Sequence, residues 1–107
     1  MMTELDKDNF DAAVLAHKGV YLVDFWSDSC DTCIEMMPAI DSLAAELEGK
    51  VAFGKVNLQG NRRLAIREKV LSLPTIVIYR DGERVASFAK EFTTDQVKAA
   101  VRELTGG

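Results

Sequence analysis

The feature that most constrains the fold is an almost unbroken apolar run, Val20–Trp26. A strand with one face in water alternates apolar and polar residues, whereas a strand covered on both faces is apolar nearly throughout. The run therefore predicts a central β-strand with structure packed against both of its faces. Asp24 is the exception within the run, so the sequence predicts a carboxyl group inside the fold.

Helical patterns occur on both sides of this run. In the first of them, Phe10 and Val14 face inward, and Asp6 or Asp8 is the expected cap. The amphipathic patterns together predict four helices, at residues 8–17, about 30–48, about 61–69 and about 93–104.

Three further β-rich segments, at residues 51–58, 75–79 and 84–88, predict strands. The last two are separated by Asp81-Gly82, a pair typical of a tight hairpin turn. The helix that follows opens at Thr93, and Gln96 three residues later completes a capping box. Strands joined through helices run parallel and the hairpin strands run antiparallel, so we predict an α/β fold with a mixed sheet.

Length and charge narrow the classes of function. A chain of 107 residues fits one domain, which we predict to span residues 1–107. Thirteen basic residues against seventeen acidic ones give a net charge of -4, which disfavours nucleic acid as a partner. No apolar run approaches the roughly 18 residues of a membrane span, and the acidic start does not resemble a secretory signal. We therefore expect a cytoplasmic protein that binds neither membrane nor nucleic acid.

The two cysteines of the chain, Cys30 and Cys33, stand where a strand gives way to a helix. The N–H groups and dipole of a helix N-terminus favour a thiolate on Cys30, and the thiolate is the nucleophile in disulfide exchange. Cys33 lies one turn further on, so the pair predicts a two-electron dithiol–disulfide couple. Two alternatives are a chance spacing of buried cysteines and half of a zinc site, for which His17 is the only other strong ligand.

Several motifs together resemble the thioredoxin family over nearly the whole chain. They are Val23-Asp24-Phe25-Trp26, the pair Cys30 and Cys33, Pro38, Lys55, Leu73-Pro74-Thr75 and Asp81-Gly82. The resemblance implies the thioredoxin fold, in which a central mixed sheet is flanked by helices on both faces. It also implies that Cys30 attacks the substrate disulfide and Cys33 resolves the mixed disulfide. Asp24 is by the same resemblance the buried carboxylate beneath the cysteines, and Pro74 a cis-proline that faces them.

The other candidate site residues can also be interpreted from the sequence itself. Burial should raise the pKa of Asp24, which could then exchange a proton with Cys33; alternatively, Asp24 hydrogen-bonds the next turn. Pro74 is either an ordinary trans proline at a strand entry or, as the resemblance implies, a cis-proline that presents the backbone edge of Leu73 to an extended substrate. Trp26 is expected to pack beside the site, which is compatible with a core aromatic.

The chain departs from the family pattern around the cysteines. The common sequence Trp-Cys-Gly-Pro-Cys is replaced by Ser-Cys-Asp-Thr-Cys at residues 29–33, so the exposed tryptophan is missing. Asp31 places a negative charge beside Cys30, which by itself would make the dithiol a stronger reductant but a slower nucleophile at neutral pH. The effect of Thr32 in place of proline has no sign from the sequence, so the sequence leaves the reduction potential open. Lys90 stands where the family has a glycine that lets substrate approach.

Two hypotheses of function follow. The first is a monomeric enzyme that reduces protein disulfides, has no bound cofactor or metal of its own and is recharged by a flavoprotein similar to thioredoxin reductase. The second is a binding module that docks a partner, with redox-sensitive cysteines that do not turn over. The presence of both cysteines, Asp24 and Leu73-Pro74 favours the enzyme.

Overall fold

A single five-stranded sheet organises the computed structural model, which describes residues 2–106. The strands are β1 (Thr3–Leu5), β2 (Val20–Trp26), β3 (Val51–Asn57), β4 (Thr75–Arg80) and β5 (Glu83–Ala89). Their spatial order is β1-β3-β2-β4-β5. Both β1 and β2 run parallel to β3, whereas β4 runs antiparallel to β2 and β5 antiparallel to β4. The predicted mixed sheet is confirmed, with β2 at its centre.

Helices cover both faces of the sheet, as predicted. Along β2, Leu22 belongs to one apolar cluster and Val23 to the other, because successive side chains of a strand point to opposite faces. The helical segments are a π-helix (Asp11–Leu15), α1 (Asp31–Glu46), α2 (Arg62–Arg67) and α3 (Thr94–Leu104). Residues of α1 and α3 complete the cluster around Leu22, and residues of the π-helix and α2 complete the cluster around Val23.

The strand β1 is absent from the sequence prediction, which began the fold with a helix. It has three residues and lies at the edge of the sheet, where Thr3 is the register partner of Gly54. A Cβ atom added to Gly54 would lie 2.5 Å from Cδ1 of Leu5, so the missing side chain leaves the space that Leu5 fills. A strand of this length has no readable periodicity, and its existence depends on this long-range contact.

The first predicted helix is shorter and of another type than expected. In place of a helix over residues 8–17, the chain forms a π-helix at Asp11–Leu15, with a hydrogen bond from the Ala16 N–H to the Asp11 carbonyl at 3.1 Å. Phe10 and Val14 are fully buried, as predicted. Two inward residues four apart fit either helix type, so the spacing did not distinguish them.

The other elements agree with the prediction to within two residues at each end. Asp81 and Gly82 both have positive φ, at 53° and 82°, as the predicted hairpin turn requires. Both hydrogen bonds of the capping box between Thr93 and Gln96 are present. Within residues 2–106, no helix is both long enough and apolar enough to cross a bilayer.

Candidate active site

The sheet brings three loops together at one of its ends. Because β4 runs antiparallel to β2, the start of β4 lies beside the end of β2, and Phe25 is the register partner of Thr75. Thr75 also pairs with Ala89 at the end of β5. The loop that carries the cysteines, the segment Leu73-Pro74 and the residues after β5 therefore share this end, which we call the disulfide end. The opposite end, which carries the turn Asp81-Gly82, is the hairpin end.

Cys30 and Cys33 are joined by a disulfide, with their Cα atoms 5.2 Å apart. Cys30 is the N-cap of α1, and its Sγ accepts a hydrogen bond of 3.2 Å from the Cys33 backbone N–H. This contact and the helix dipole favour negative charge on the Cys30 sulfur in the reduced form. Cys30 is half-buried, whereas Cys33 is only 1% exposed. A substrate can therefore reach the first sulfur but not the second.

Asp24 is buried on the face of the sheet that α1 covers, because it lies two residues after Leu22 along β2 and side chains two apart in a strand share a face. Burial raises the pKa of Asp24 to about 7, partly offset by the positive charge of Lys55 and reinforced by the negative charge of Asp41. The predicted rise of this pKa is confirmed. Its Oδ2 is buried and has no hydrogen-bond partner among residues 2–106, so the structure does not support a bond from this oxygen to the next turn.

Lys55 interacts with two residues of the site. It is the register partner of Asp24 across β2 and β3, and its Nζ lies 5.7 Å from the centroid of the Trp26 ring. Trp26 is half-buried at the end of β2, on the same face as Asp24. Its Nε1 is buried without a partner among the described residues. The sequence identifies Lys55 only as part of a family motif, because the register between β2 and β3 is needed to place it beside Asp24 and Trp26.

Pro74 follows a cis peptide bond from Leu73, as the resemblance implied, and the trans alternative is wrong. Pro74 is buried and Leu73 is half-buried. The segment is held on both sides, because the Thr75 hydroxyl donates to the Ser72 carbonyl at 2.6 Å and the Lys90 N–H donates to the Pro74 carbonyl at 3.2 Å. The cis-proline segment is thus fixed at the disulfide end.

Two apolar side chains near these loops are exposed to solvent. Ile34, which directly follows Cys33, is 45% exposed, and Leu71, three residues before Pro74, is 86% exposed. The sequence did not single out Leu71, because Val70, Leu71 and Leu73 are all apolar and only the loop geometry decides which of them turns outward. These two side chains are exposed apolar surface on the segments that carry the cysteines and the cis-proline.

The zinc alternative finds no ligand set in the described part of the chain. Residues 2–106 contain no group of three or more His, Cys, Asp or Glu side chains placed to hold a metal ion. The ring of His17 instead packs edge-on against Tyr21, with the centroids 5.3 Å apart. Tyr21 lies near the start of β2, at the other end of the strand from the cysteines.

Comparison with known proteins agrees with this geometry. A family model described as Thioredoxin matches residues 1–103. A thioredoxin of Peptoclostridium acidaminophilum is 44% identical over 107 residues, covering 99% of this chain and 97% of the relative. A thioredoxin of Acetoanaerobium sticklandii is 46% identical over 103 residues, covering 95% of this chain and 98% of the relative. The chain belongs to the thioredoxin family.

Membership of the thioredoxin family defines the chemistry of the cysteine pair. The protein is a thiol–disulfide oxidoreductase, and Cys30 and Cys33 form its dithiol–disulfide couple. Thioredoxins act on protein disulfides together with a reductase. The unusual residues between the cysteines, Asp31 and Thr32, are both exposed in the first turn of α1. Their side chains are therefore open to solvent beside the disulfide, and α1 forms with both of them in its first turn.

Proposed function

We propose that this chain reduces disulfide bonds of other proteins, with Cys30 as the attacking sulfur and Cys33 as the resolving one. The observation that carries this assignment is their unequal burial at the start of α1. In the reduced form, the Cys30 thiolate attacks one sulfur of the substrate disulfide and expels the other as a thiolate. The Cys33 thiolate then attacks Cys30 Sγ, releases the second substrate thiolate and leaves the Cys30–Cys33 disulfide. Two electrons pass to the substrate.

Asp24 is proposed to accept the proton that Cys33 must lose before it can attack. A carboxyl group with a pKa of about 7 exists in both protonation states near neutral pH, which suits proton exchange with a thiol. Asp24 and Cys33 are both buried on the same side of the sheet, where bulk water has little access. The unpartnered Oδ2 supports the same role, because a structural carboxylate is normally paired.

Substrate is proposed to bind along the cis-proline segment. The backbone of Leu73 pairs with an extended chain next to Cys30, while Pro74 and Trp26 form the floor and side of the groove. We further propose that the protein is a cytoplasmic monomer of one domain over residues 1–107. A flavoprotein similar to thioredoxin reductase is the proposed electron donor, and the protein holds no cofactor.

Reduction of a protein disulfide in the presence of dithiothreitol tests this function. We expect turnover by the natural chain and only the background rate with Cys30→Ser. We expect Cys33→Ser to accumulate a mixed disulfide between Cys30 and the substrate, visible by non-reducing electrophoresis and mass spectrometry. A natural chain that binds the substrate without reducing it would support the binding module instead.

A further inference from the structure

Lys90 has a left-handed backbone conformation that neither a helix end nor a hairpin turn accounts for. Within residues 2–106, the non-glycine residues with positive φ are Lys69, Asp81 and Lys90. Lys69 ends α2 in the usual left-handed manner, with the Val70 N–H bonded to the Ala65 carbonyl at 2.8 Å. Asp81 belongs to the hairpin turn. Lys90 terminates no helix and lies outside the hairpin.

Lys90 instead occupies the centre of a γ-turn. The Glu91 N–H donates to the Ala89 carbonyl at 2.9 Å around it, and its φ is 67°. A γ-turn with positive φ is rare and strained, and glycine would adopt it at less cost. Strained non-glycine residues cluster at active sites and ligand clamps, so the strain at Lys90 points to a functional role.

The turn lies next to the cis-proline segment. The Lys90 N–H is bonded to the carbonyl of Pro74 at 3.2 Å, which ties the turn to the cis-proline segment. Adjacent strands lie about 5 Å apart, so the end of β5 is about 10 Å from the end of β2. A lysine side chain is long enough to span most of that interval. The ammonium group can therefore reach a chain bound along Leu73-Pro74.

Charge distinguishes the two sides of this groove. On the α1 side, Asp28, Asp31 and Glu35 are exposed around the cysteines. On the β5 side, Lys90 is exposed and takes part in none of the ion pairs found in residues 2–106, which use other basic side chains. The next residue, Glu91, is also exposed, so the β5 side carries charges of both signs, whereas the exposed charged residues around the cysteines are all acidic.

We propose that Lys90 is a specificity-determining residue that favours disulfide substrates carrying a carboxylate on the side of their cysteine that faces β5. This inference rests on the proposed reduction of protein disulfides through Cys30. The ligand is an acidic peptide segment, and the contact is a charge-assisted one between its carboxylate and the Lys90 ammonium. Strain in the γ-turn is retained because glycine in its place would present no charge.

The test uses peptide disulfides that differ at one position. Aspartate or serine is placed two residues before or two residues after the cysteine, and kcat/KM is measured for each peptide. For one of the two positions, we expect the aspartate-to-serine ratio to fall about 2–5-fold in Lys90→Gly, the size of an exposed charge contact. Lys90→Arg should keep the ratio, and Lys90→Asn, which tolerates the left-handed conformation, should lose it.

Lys69→Gly is the matched control. Lys69 is also an exposed lysine with positive φ, at 63°, but it lies beside Tyr79, Gly82 and Arg84 at the hairpin end. We expect this variant to keep the ratio of the natural chain. In 0.5 M salt the effect of Lys90 should shrink, because the screening length falls to about 4 Å.

The outcomes separate this inference from the function on which it rests. If Lys90→Gly reduces the serine peptides normally and leaves both ratios unchanged, the specificity role is wrong and disulfide reduction stands. If the ratio falls equally in Lys69→Gly, the effect is one of net charge and Lys90 has no special part. If the natural chain reduces none of the peptides, the proposed function fails and the inference with it.

Discussion

Two largely buried carboxyl groups at opposite ends of the sheet have opposite surroundings. Glu68, near the hairpin end, is 13% exposed and accepts hydrogen bonds from the Tyr79 hydroxyl at 2.6 Å and from Arg67 at 2.9 Å. Asp24, near the disulfide end, is 3% exposed, and its Oδ2 has no partner among residues 2–106. One carboxyl group is fully engaged in structure, and the other is left available.

The difference between Glu68 and Asp24 is one between a carboxyl group that stabilises the fold and one that is available for chemistry. A buried carboxylate that is hydrogen-bonded stabilises the fold, whereas one without partners costs free energy whenever it is ionised. The two left-handed lysines follow the same division, because Lys69 completes a helix end and Lys90 occupies a strained turn beside Pro74. The γ-turn at Lys90 and the two unpartnered buried polar atoms found in residues 2–106, Asp24 Oδ2 and Trp26 Nε1, all lie toward the disulfide end.

The largest effect should appear in the pH dependence of stability. The pKa of Asp24 is raised from 3.8 to about 7, so the protonated form is favoured in the folded state. Its stabilising contribution is fully present below pH 4 and is lost as pH rises toward 7. Between pH 5 and pH 8, we expect the oxidised protein to lose about 2–3 kcal/mol of unfolding free energy relative to Asp24→Asn.

Urea denaturation at the two pH values measures this difference. Asp41→Asn serves as control, because it removes an exposed carboxylate from α1 while leaving the buried one in place. It should keep most of the pH dependence. Parallel pH profiles for the natural chain and Asp24→Asn would mean that the pKa of Asp24 is not raised in the folded protein.

Turnover should also depend on Asp24. In Asp24→Asn, we expect reduction of a protein disulfide at pH 7 to slow about tenfold, below the usual 10²–10⁴ for general bases because water can replace the carboxylate. Formation of the mixed disulfide at Cys30 should stay close to normal, since the first attack does not require deprotonation of Cys33. Stopped-flow measurement of the two steps separates them, and unchanged turnover across pH would remove Asp24 from the mechanism.

At the hairpin end, removal of one hydrogen bond should affect stability alone. Burial, together with the bond to Glu68, raises the pKa of Tyr79, so its hydroxyl stays protonated and donates. Tyr79→Phe should destabilise the protein by about 1–2 kcal/mol and leave turnover unchanged. Glu68→Gln and the double variant complete a cycle that isolates the pair. A drop in turnover in Tyr79→Phe would show that the two ends are not independent.

The smallest expected effect concerns Asp31. Its charge opposes a thiolate on Cys30, so Asp31→Asn should speed alkylation of the reduced protein by neutral iodoacetamide at pH 6.5 by about 2-fold. Asp95→Asn, which removes a carboxylate from the first turn of α3, is the matched control and should have no effect. Equal rates for all three proteins would show that Asp31 does not influence the cysteine.

Much of the fold and the cysteine pair could be predicted because their signals are local. The apolar run of β2, the turn Asp81-Gly82 and the capping box at Thr93 each depend on residues close together in the chain, and all three are confirmed. The spacing of Cys30 and Cys33 is a signal of the same kind. The raised pKa of Asp24 followed from a single charged residue in a covered strand.

What could not be predicted depends on contacts between distant parts of the chain. The strand β1 requires the space above Gly54, and the pairing of Tyr79 with Glu68 requires β4 and α2 to meet. Lys55 meets Trp26 only through the register of β2 and β3. The strained turn at Lys90 likewise depends on a hydrogen bond to Pro74, which is distant in the chain, and the residues around Lys90 do not predict that bond. The local sequence determined the secondary-structure elements and the reactive cysteine pair. The packing of the assembled sheet determined the partners of each charged group, because those partners lie far apart until the chain folds.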